Sequence, residues 1–306
     1  MSGLQVLLMI ITISSAILGN IFKNQVSKNN LKNQSDNLVF NLIGNAFCVV
    51  IMAALGGIGK TAPFIIMLAA VFGLANLLAS LLLNSALKVG PLSLTSMIVL
   101  SGSMITSTAV NTICFTKEMP TMLQFIGVVL ILVSMVLVSD AKKDKNITAS
   151  WLPIVIIAAL FNGSLGVIQG IQSSSAYPDQ SRQFLFWTFL FGTLFNGVWL
   201  AVRRKKEPVT LKLDKRMVLM ALVEGATTAT QHVINLKLVA ELAAVVFFPI
   251  NSGGRILLTM VVDLIIFRTK LSKRQIWSFI IGFIAIMMLA KVVDAYLPVV
   301  IGWFAG

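Results

Sequence analysis

Four ionisable side chains lie inside long apolar stretches of this chain: Glu224, His232, Arg255 and Asp263. A charge inside an apolar segment is costly and usually faces a cavity or a partner. On a helix, Glu224, Thr228, Gln231 and Asn235 fall at steps of four, three and four and form one polar stripe, bordered by Thr227 and His232. Asn251, Arg255, Thr259 and Asp263 follow at steps of four and form a second. Arg255 keeps its proton at any ordinary pH. It can offer a fixed positive charge to a substrate carboxylate or phosphate, or it can pair permanently with Glu224 or Asp263. Glu224 and His232 can both change protonation when buried, which makes them the proton-coupling candidates. The expected solute contacts are Arg255, Glu224, His232, Gln231, Asn251 and Thr228, joined from the first half by Asn76 and Ser103.

Other chemistries lack their parts. One His and two Cys give no metal-ligand set, and Cys48 and Cys114 read as apolar thiols inside helices. There is no HExxH, no G-x-S-x-G elbow and no ATP-binding loop, so no catalytic residues, metal or cofactor are expected.

The elements that position these residues are membrane spans. The chain is 57% hydrophobic and 11% charged over 306 residues. Apolar runs near 4–22, 37–56, 64–87, 92–115, 121–139, 151–170, 184–202, 216–237, 243–267 and 275–292 have the length of a hydrocarbon core. They are apolar on every side, which requires helices rather than barrel strands. The first run is too long for a signal peptide and lacks its flanks, so it reads as retained.

The net charge of +13 is not a nucleic-acid footprint, because it is sorted by side. Connections after odd-numbered spans hold 18 of the 24 Lys and Arg, and those after even-numbered spans hold four. By the positive-inside rule the odd connections are cytoplasmic and both termini extracytoplasmic, in a multi-pass inner (plasma) membrane protein.

The chain also repeats itself. Shifted by 151 positions, residues 84–127 lie without a gap over 235–278, with eight identities in 44 positions. Asn84 meets Asn235, Ser101-Gly102 meets Ser252-Gly253, Thr108 meets Thr259 and Gln124 meets Gln275. Five spans per half means that the second copy enters from the opposite side, so the halves are inverted repeats that can enclose a midplane cavity. The fold class is therefore an all-α integral membrane protein of ten transmembrane helices. Its parts are a first repeat (1–139), a charged linker (140–150), a second repeat (151–294) and a short hydrophobic tail (295–306). At the positions equivalent to Glu224, His232, Arg255 and Asp263 the first half has Gly73, Leu81, Met104 and Thr112. The unshared charges thus mark the second copy as the place of recognition. Gly163, Gly166 and Gly170 in span six, and Ser15, Ala16 and Gly19 in span one, suit close helix packing. Pro249 should free the carbonyl of Val245 and disturb span nine.

The segment Lys117-Glu118-Met119-Pro120-Thr121-Met122-Leu123-Gln124-Phe125-Ile126-Gly127 resembles the hallmark of EamA-type transporters in the drug/metabolite transporter superfamily. That hallmark has a Glu after span four, a Gln six residues later and a Gly three beyond. The second copy keeps Gln275 but has Thr269 and Ser278 in place of the Glu and Gly. The resemblance implies a ten-helix carrier, open alternately to each side, that exports amino acids, metabolites or toxic compounds. It also implies an architectural role for Glu118 near the membrane surface. The combined expectation is a secondary carrier of small polar or anionic organic solutes, working as a monomer or homodimer in the lipid bilayer. The alternative is a passive pore or lipid-handling protein in which Arg255 is locked in an ion pair.

Overall fold

A computed structural model describes residues 1–29, 33–89, 92–115, 121–138, 151–265 and 273–289. Among them there is no strand. Ten α-helices follow in order: α1 (Gly3–Asn29), α2 (Gln34–Met52), α3 (Pro63–Val89), α4 (Leu92–Cys114), α5 (Met122–Val138), α6 (Trp151–Ser174), α7 (Ser181–Arg203), α8 (Lys215–Glu241), α9 (Ala244–Ile265) and α10 (Lys273–Leu289). Four segments are long and apolar enough to cross a membrane: Gln34–Gly57, Pro63–Leu83, Trp151–Ser174 and Pro178–Arg203. The charged segment 140–150 and the tail 295–306 lie outside the described residues, as does Glu118.

The helices stand close to the expected apolar runs, and the differences have local causes. α1 continues to Asn29, well beyond its apolar stretch, because nothing in Lys23–Lys28 breaks a helix. α2 ends in a single π turn over Ala53–Gly57, where Gly56 takes a φ of 84° that a side chain would resist. The neighbouring Arg182 guanidinium donates to the Leu55 carbonyl at 3.3 Å there. Helix starts are capped as the sequence allows. Thr121 and Gln124 form a reciprocal capping box on α5, with Thr121 N–H donating to Gln124 Oε1 at 3.1 Å and Gln124 N–H to Thr121 Oγ1 at 3.3 Å. Asp214 Oδ1 receives Met217 N–H at 2.7 Å on α8.

Many large apolar side chains face outward, and a number of polar residues lie within an otherwise apolar core. Ile113 and Met122 are 82% and 81% exposed, and Leu7, Ile10, Val50, Phe125, Val198 and Trp277 also face outward. Thr12, Ser107, Asn111, Gln124, Ser134, Gln169, Asn196, Asn235 and Asn251 are buried. An apolar exterior suits lipid, where outward polar groups would find no partners.

The chain divides into two compact units that cut across the sequence halves. One comprises Met1–Met9, Ala79–Val167 and Glu241–Gly306, and the other Ile10–Leu78 and Ile168–Ala240. In the first, α5 packs along α10 and α4 along α9; in the second, α2 packs along α7. Each of these pairs joins a helix to the one five places later.

The α5–α10 contact has a form that the 151-residue offset explains. A Cβ at Gly127 would stand 3.2 Å from the Ala285 carbonyl, so the backbones meet there. Seven residues on, Ser134 Oγ donates to the Ser278 carbonyl at 2.8 Å, and Ser278 Oγ donates back to the Ser134 carbonyl at 2.7 Å. The offset carries Gly127 to Ser278 and Ala285 to Ser134. The two pairs of positions are thus related by the same offset.

Polar contacts also give the helices directions. α4 and α6 run parallel: Trp151 Nε1 donates to Thr95 Oγ1 at 2.9 Å, Ser107 Oγ to the Gly163 carbonyl at 2.8 Å and Asn111 Nδ2 to the Gly166 carbonyl at 3.3 Å. α2 and α7 run antiparallel, joined at one end by Arg182 and Leu55 and at the other by Asp36 and Thr210. α1 and α8 are antiparallel too, through Gln5 with Glu241 and Thr12 with Asn235. These directions are the ones strict alternation between two faces would produce.

Asp36, in the first turn of α2, ties that helix to the α7–α8 connection. Its fully buried carboxylate accepts from Thr210 N–H and Leu211 N–H through Oδ1, at 2.7 and 2.8 Å, and from the Thr210 hydroxyl through Oδ2 at 2.7 Å. Asn33 Nδ2 donates to the Pro208 carbonyl at 2.9 Å, and Gln34 N–H to Glu207 Oε2 at 3.3 Å. Asp36→Ala leaves buried donors without an acceptor and should cost roughly 3 kcal/mol. The midpoint of thermal unfolding in detergent should fall by several degrees; an unchanged midpoint would contradict the role given to this junction.

Candidate functional site

The α8 stripe fans out over three neighbours. Glu224 lies against α2 at Gly44: a Cβ there would sit 2.7 Å from Glu224 Oε2. Thr228 Oγ1 donates to Glu224 Oε1 at 3.4 Å, a long bond for a half-buried carboxylate. One residue on, Gly225 lies against the same glycine, and a Cβ on it would stand 2.6 Å from the Gly44 carbonyl. Cys48 Sγ donates to the Gly225 carbonyl at 3.0 Å and closes this crossing. On the other side of the unit Gly73 of α3 faces Gly192 of α7, where a Cβ would stand 3.1 Å from the Gly192 nitrogen. α3 and α7 are the counterparts of α8 and α2. Each crossing therefore joins a helix of the first half to one of the second through a pair of glycines.

The far end of the stripe lies against α1. Asn235 is buried and its Oδ1 accepts from Thr12 Oγ1 of α1 at 2.8 Å. Gln231 is half-buried, and its backbone carbonyl accepts from the same hydroxyl at 3.4 Å.

His232 turns towards α6, α3 and α7. Its Nδ1 faces Gln169 Nε2 at 3.1 Å. Its ring stands nearly perpendicular to Phe72, with centroids 5.6 Å apart at 81°, and to Phe189, at 5.7 Å and 73°. Phe184 extends the cluster against Phe72 at 5.7 Å. With the amide nitrogen of Gln169 donating, Nδ1 is the acceptor and the ring proton is on Nε2. A 180° turn of the Gln169 amide would place its oxygen there and accommodate the doubly protonated ring. Perpendicular aromatic neighbours stabilise either form, the cation through their faces. Asn76 is half-buried on α3, one turn beyond Phe72.

Arg255 and Asn251 belong to the other unit. α9 runs unbroken through Pro249, which lies in its second turn, so the helix is not interrupted there. The proline still removes the N–H that would serve Val245. Asn251 is 8% exposed, and its Oδ1 has no hydrogen-bond partner. Arg255 is half-buried one turn further along α9. α4 packs against α9 and carries two more buried hydroxyls without partners, Thr108 Oγ1 and Thr112 Oγ1. An orphaned polar atom costs about 1–3 kcal/mol, so a polar solute or water reaching it would recover that energy. Ser103 is differently engaged: its hydroxyl donates to the Leu100 carbonyl of its own helix at 2.9 Å. The side chains of Thr259 and Asp263 lie outside the described residues.

The glycines of span six serve packing, as expected. A Cβ at Gly163 would stand 2.6 Å from Thr106 Cβ, and one at Gly166 would stand 2.6 Å from the Phe248 ring. Sequence reasoning reached Glu224, His232, Asn251 and Arg255 because a polar residue in an apolar run stands out. It missed Phe72 and Phe189, which look like any other apolar residue, and Thr12 and Gly44, whose importance comes from the helix opposite.

No family model and no curated protein matches the chain. Among solved structures 28 chains match. One of them, described only as "Crystal structure of protein", aligns with 93% of this chain and 98% of its own at a TM-score of 0.70 and 12% identity. That likeness shows a shared fold and nothing about activity.

The two glycines at the α2–α8 crossing should respond differently to the same change. Gly44→Ala displaces only the flexible end of Glu224 and should cost less than about 0.5 kcal/mol. Gly225→Ala drives a methyl into backbone and should cost about 1–3 kcal/mol. Thermal unfolding of both variants in detergent checks this; equal losses would refute the arrangement.

Proposed function

We propose that this chain is a secondary carrier of small polar or anionic organic solutes, working by alternating access in the plasma membrane. The observation that carries the proposal is the α5–α10 contact, in which Gly127 with Ala285 and Ser278 with Ser134 are images across the 151-residue offset. Two inverted five-helix repeats would produce such a contact, and inverted repeats underlie carriers that open to each side in turn. The helix directions and the pairing of α2, α4 and α5 with the helices five places later support ten spans. The same reading is compatible with the EamA-type resemblance, with extracytoplasmic termini and with export.

In this reading Arg255 holds an anionic group of the solute, and Asn251 with the unpartnered hydroxyls of α4 completes the polar contacts. Glu224 and His232 carry the coupling proton. Glu224 is suited to this because its carboxylate is half-buried with one long hydrogen bond, and His232 because a rotation of Gln169 accommodates either protonation state.

Two measurements test the assignment. Wild-type protein screened by thermal shift against metabolites should be stabilised by carboxylates or phosphates, and Arg255→Ala should lose that shift by roughly tenfold in apparent affinity or more. Equal binding by the variant would remove Arg255 from the site. Flux into proteoliposomes should depend on pH in the wild type and lose that dependence in Glu224→Gln. An identical profile in the variant would exclude Glu224 as the coupling group.

A further inference from the structure

The connection from α7 to α8 carries seven cations and two carboxylates between Arg203 and Arg216. Both carboxylates are consumed internally. Glu207 pairs with Arg203 at 3.0 Å and receives Gln34 N–H, and Asp214 caps α8. Arg204, Lys205, Lys206, Lys212, Lys215 and Arg216 are exposed, and none pairs with a carboxylate among the described residues. A connection this charged would ordinarily be loosely held, but this one is fixed by its backbone. Asp36 takes the N–H groups of Thr210 and Leu211, and Asn33 and Ser35 bond the carbonyls of Pro208 and Glu207. Leu211 is buried with Phe40 and Met217, which turns the side chains on either side of it outward. Val209 and Leu213 are among these, 42% and 58% exposed between the cations. The segment directly continues Pro178–Arg203, which is long and apolar enough to cross a membrane.

We propose that residues 203–216 form a preformed docking surface for anionic phospholipid headgroups, with Val209 and Leu213 inserted at the acyl boundary. A soluble anion would need the cations but not exposed apolar residues between them. A protein partner would bury those residues but would not require their place at the end of an apolar helix. A lipid surface uses both features, with each Lys or Arg near the headgroups adding to the attraction. This inference rests on membrane insertion alone and is independent of what the protein transports.

The test uses the full chain in mixed micelles, with bound lipid counted by native mass spectrometry. Phosphatidylglycerol should be retained over phosphatidylcholine by about tenfold, and added salt should weaken the preference. The Lys205→Gln, Lys206→Gln, Lys212→Gln, Lys215→Gln variant should bind both lipids nearly equally. Lys60→Gln, an exposed cation at the opposite end of α2, should behave as wild type. Unchanged preference in the fourfold variant, or a salt-insensitive preference in the wild type, would overturn the proposal. So would competition by soluble glycerol phosphate to the same extent as by the lipid. Loss of the lipid preference with solute flux intact would leave the carrier reading standing, and the converse would leave the lipid site.

Discussion

Helices in lipid gain little from hiding apolar side chains from one another, because the surrounding chains are as apolar as they are. What holds them is close backbone approach and the few polar groups that meet between them. In this chain those contacts occur at definite points. Gly127 and Ser278 let α5 and α10 touch, Gly44 and Gly225 do so for α2 and α8, and Gly163 and Gly166 open α6 to α4 and α9. Each point admits no extra methyl without displacing a neighbour. The outward Leu, Ile and Val, by contrast, can vary as long as they stay apolar.

The polar interior follows from the same constraint. Most buried polar groups close on a partner within a turn or across one helix contact, as with Thr12 and Asn235 or Ser107 and Gly163. A few do not. Asn251 Oδ1 and the hydroxyls of Thr108 and Thr112 are buried without partners, and Glu224 has a single long bond. Incomplete satisfaction is expensive in a stable scaffold and useful in a site that must bind and release a polar solute. Gln124, by contrast, is closed by its reciprocal bonds with Thr121.

Much of the fold was legible because membrane insertion imposes a simple grammar. Apolar run length located every helix, and the departures at Asn29 and Glu241 occur where polar residues continue a helix past its apolar part. The 151-residue offset was visible as identities, and two α5–α10 contacts fall at positions related by the same offset. Gln124 was legible as a motif, and its capping of α5 gives the physical reason. The candidate site was legible in its polar and charged members. That Ser103 turns into its own helix depends on rotamer choice, which spacing does not encode. The aromatic surround of His232 depends on which faces of α3 and α7 meet α8, and apolar residues carry no label for that. The compact units also cut across the halves, with α5 packed on α10, α4 on α9 and α2 on α7.

The central claim is that these two halves move as a carrier. Solute counterflow in proteoliposomes tests it most directly. Vesicles loaded with excess unlabelled solute should take up labelled solute from outside faster than empty vesicles, and should transiently accumulate it. Uptake at the same rate with empty and loaded vesicles, reaching simple equilibration, would mean a passive pore and would contradict the account.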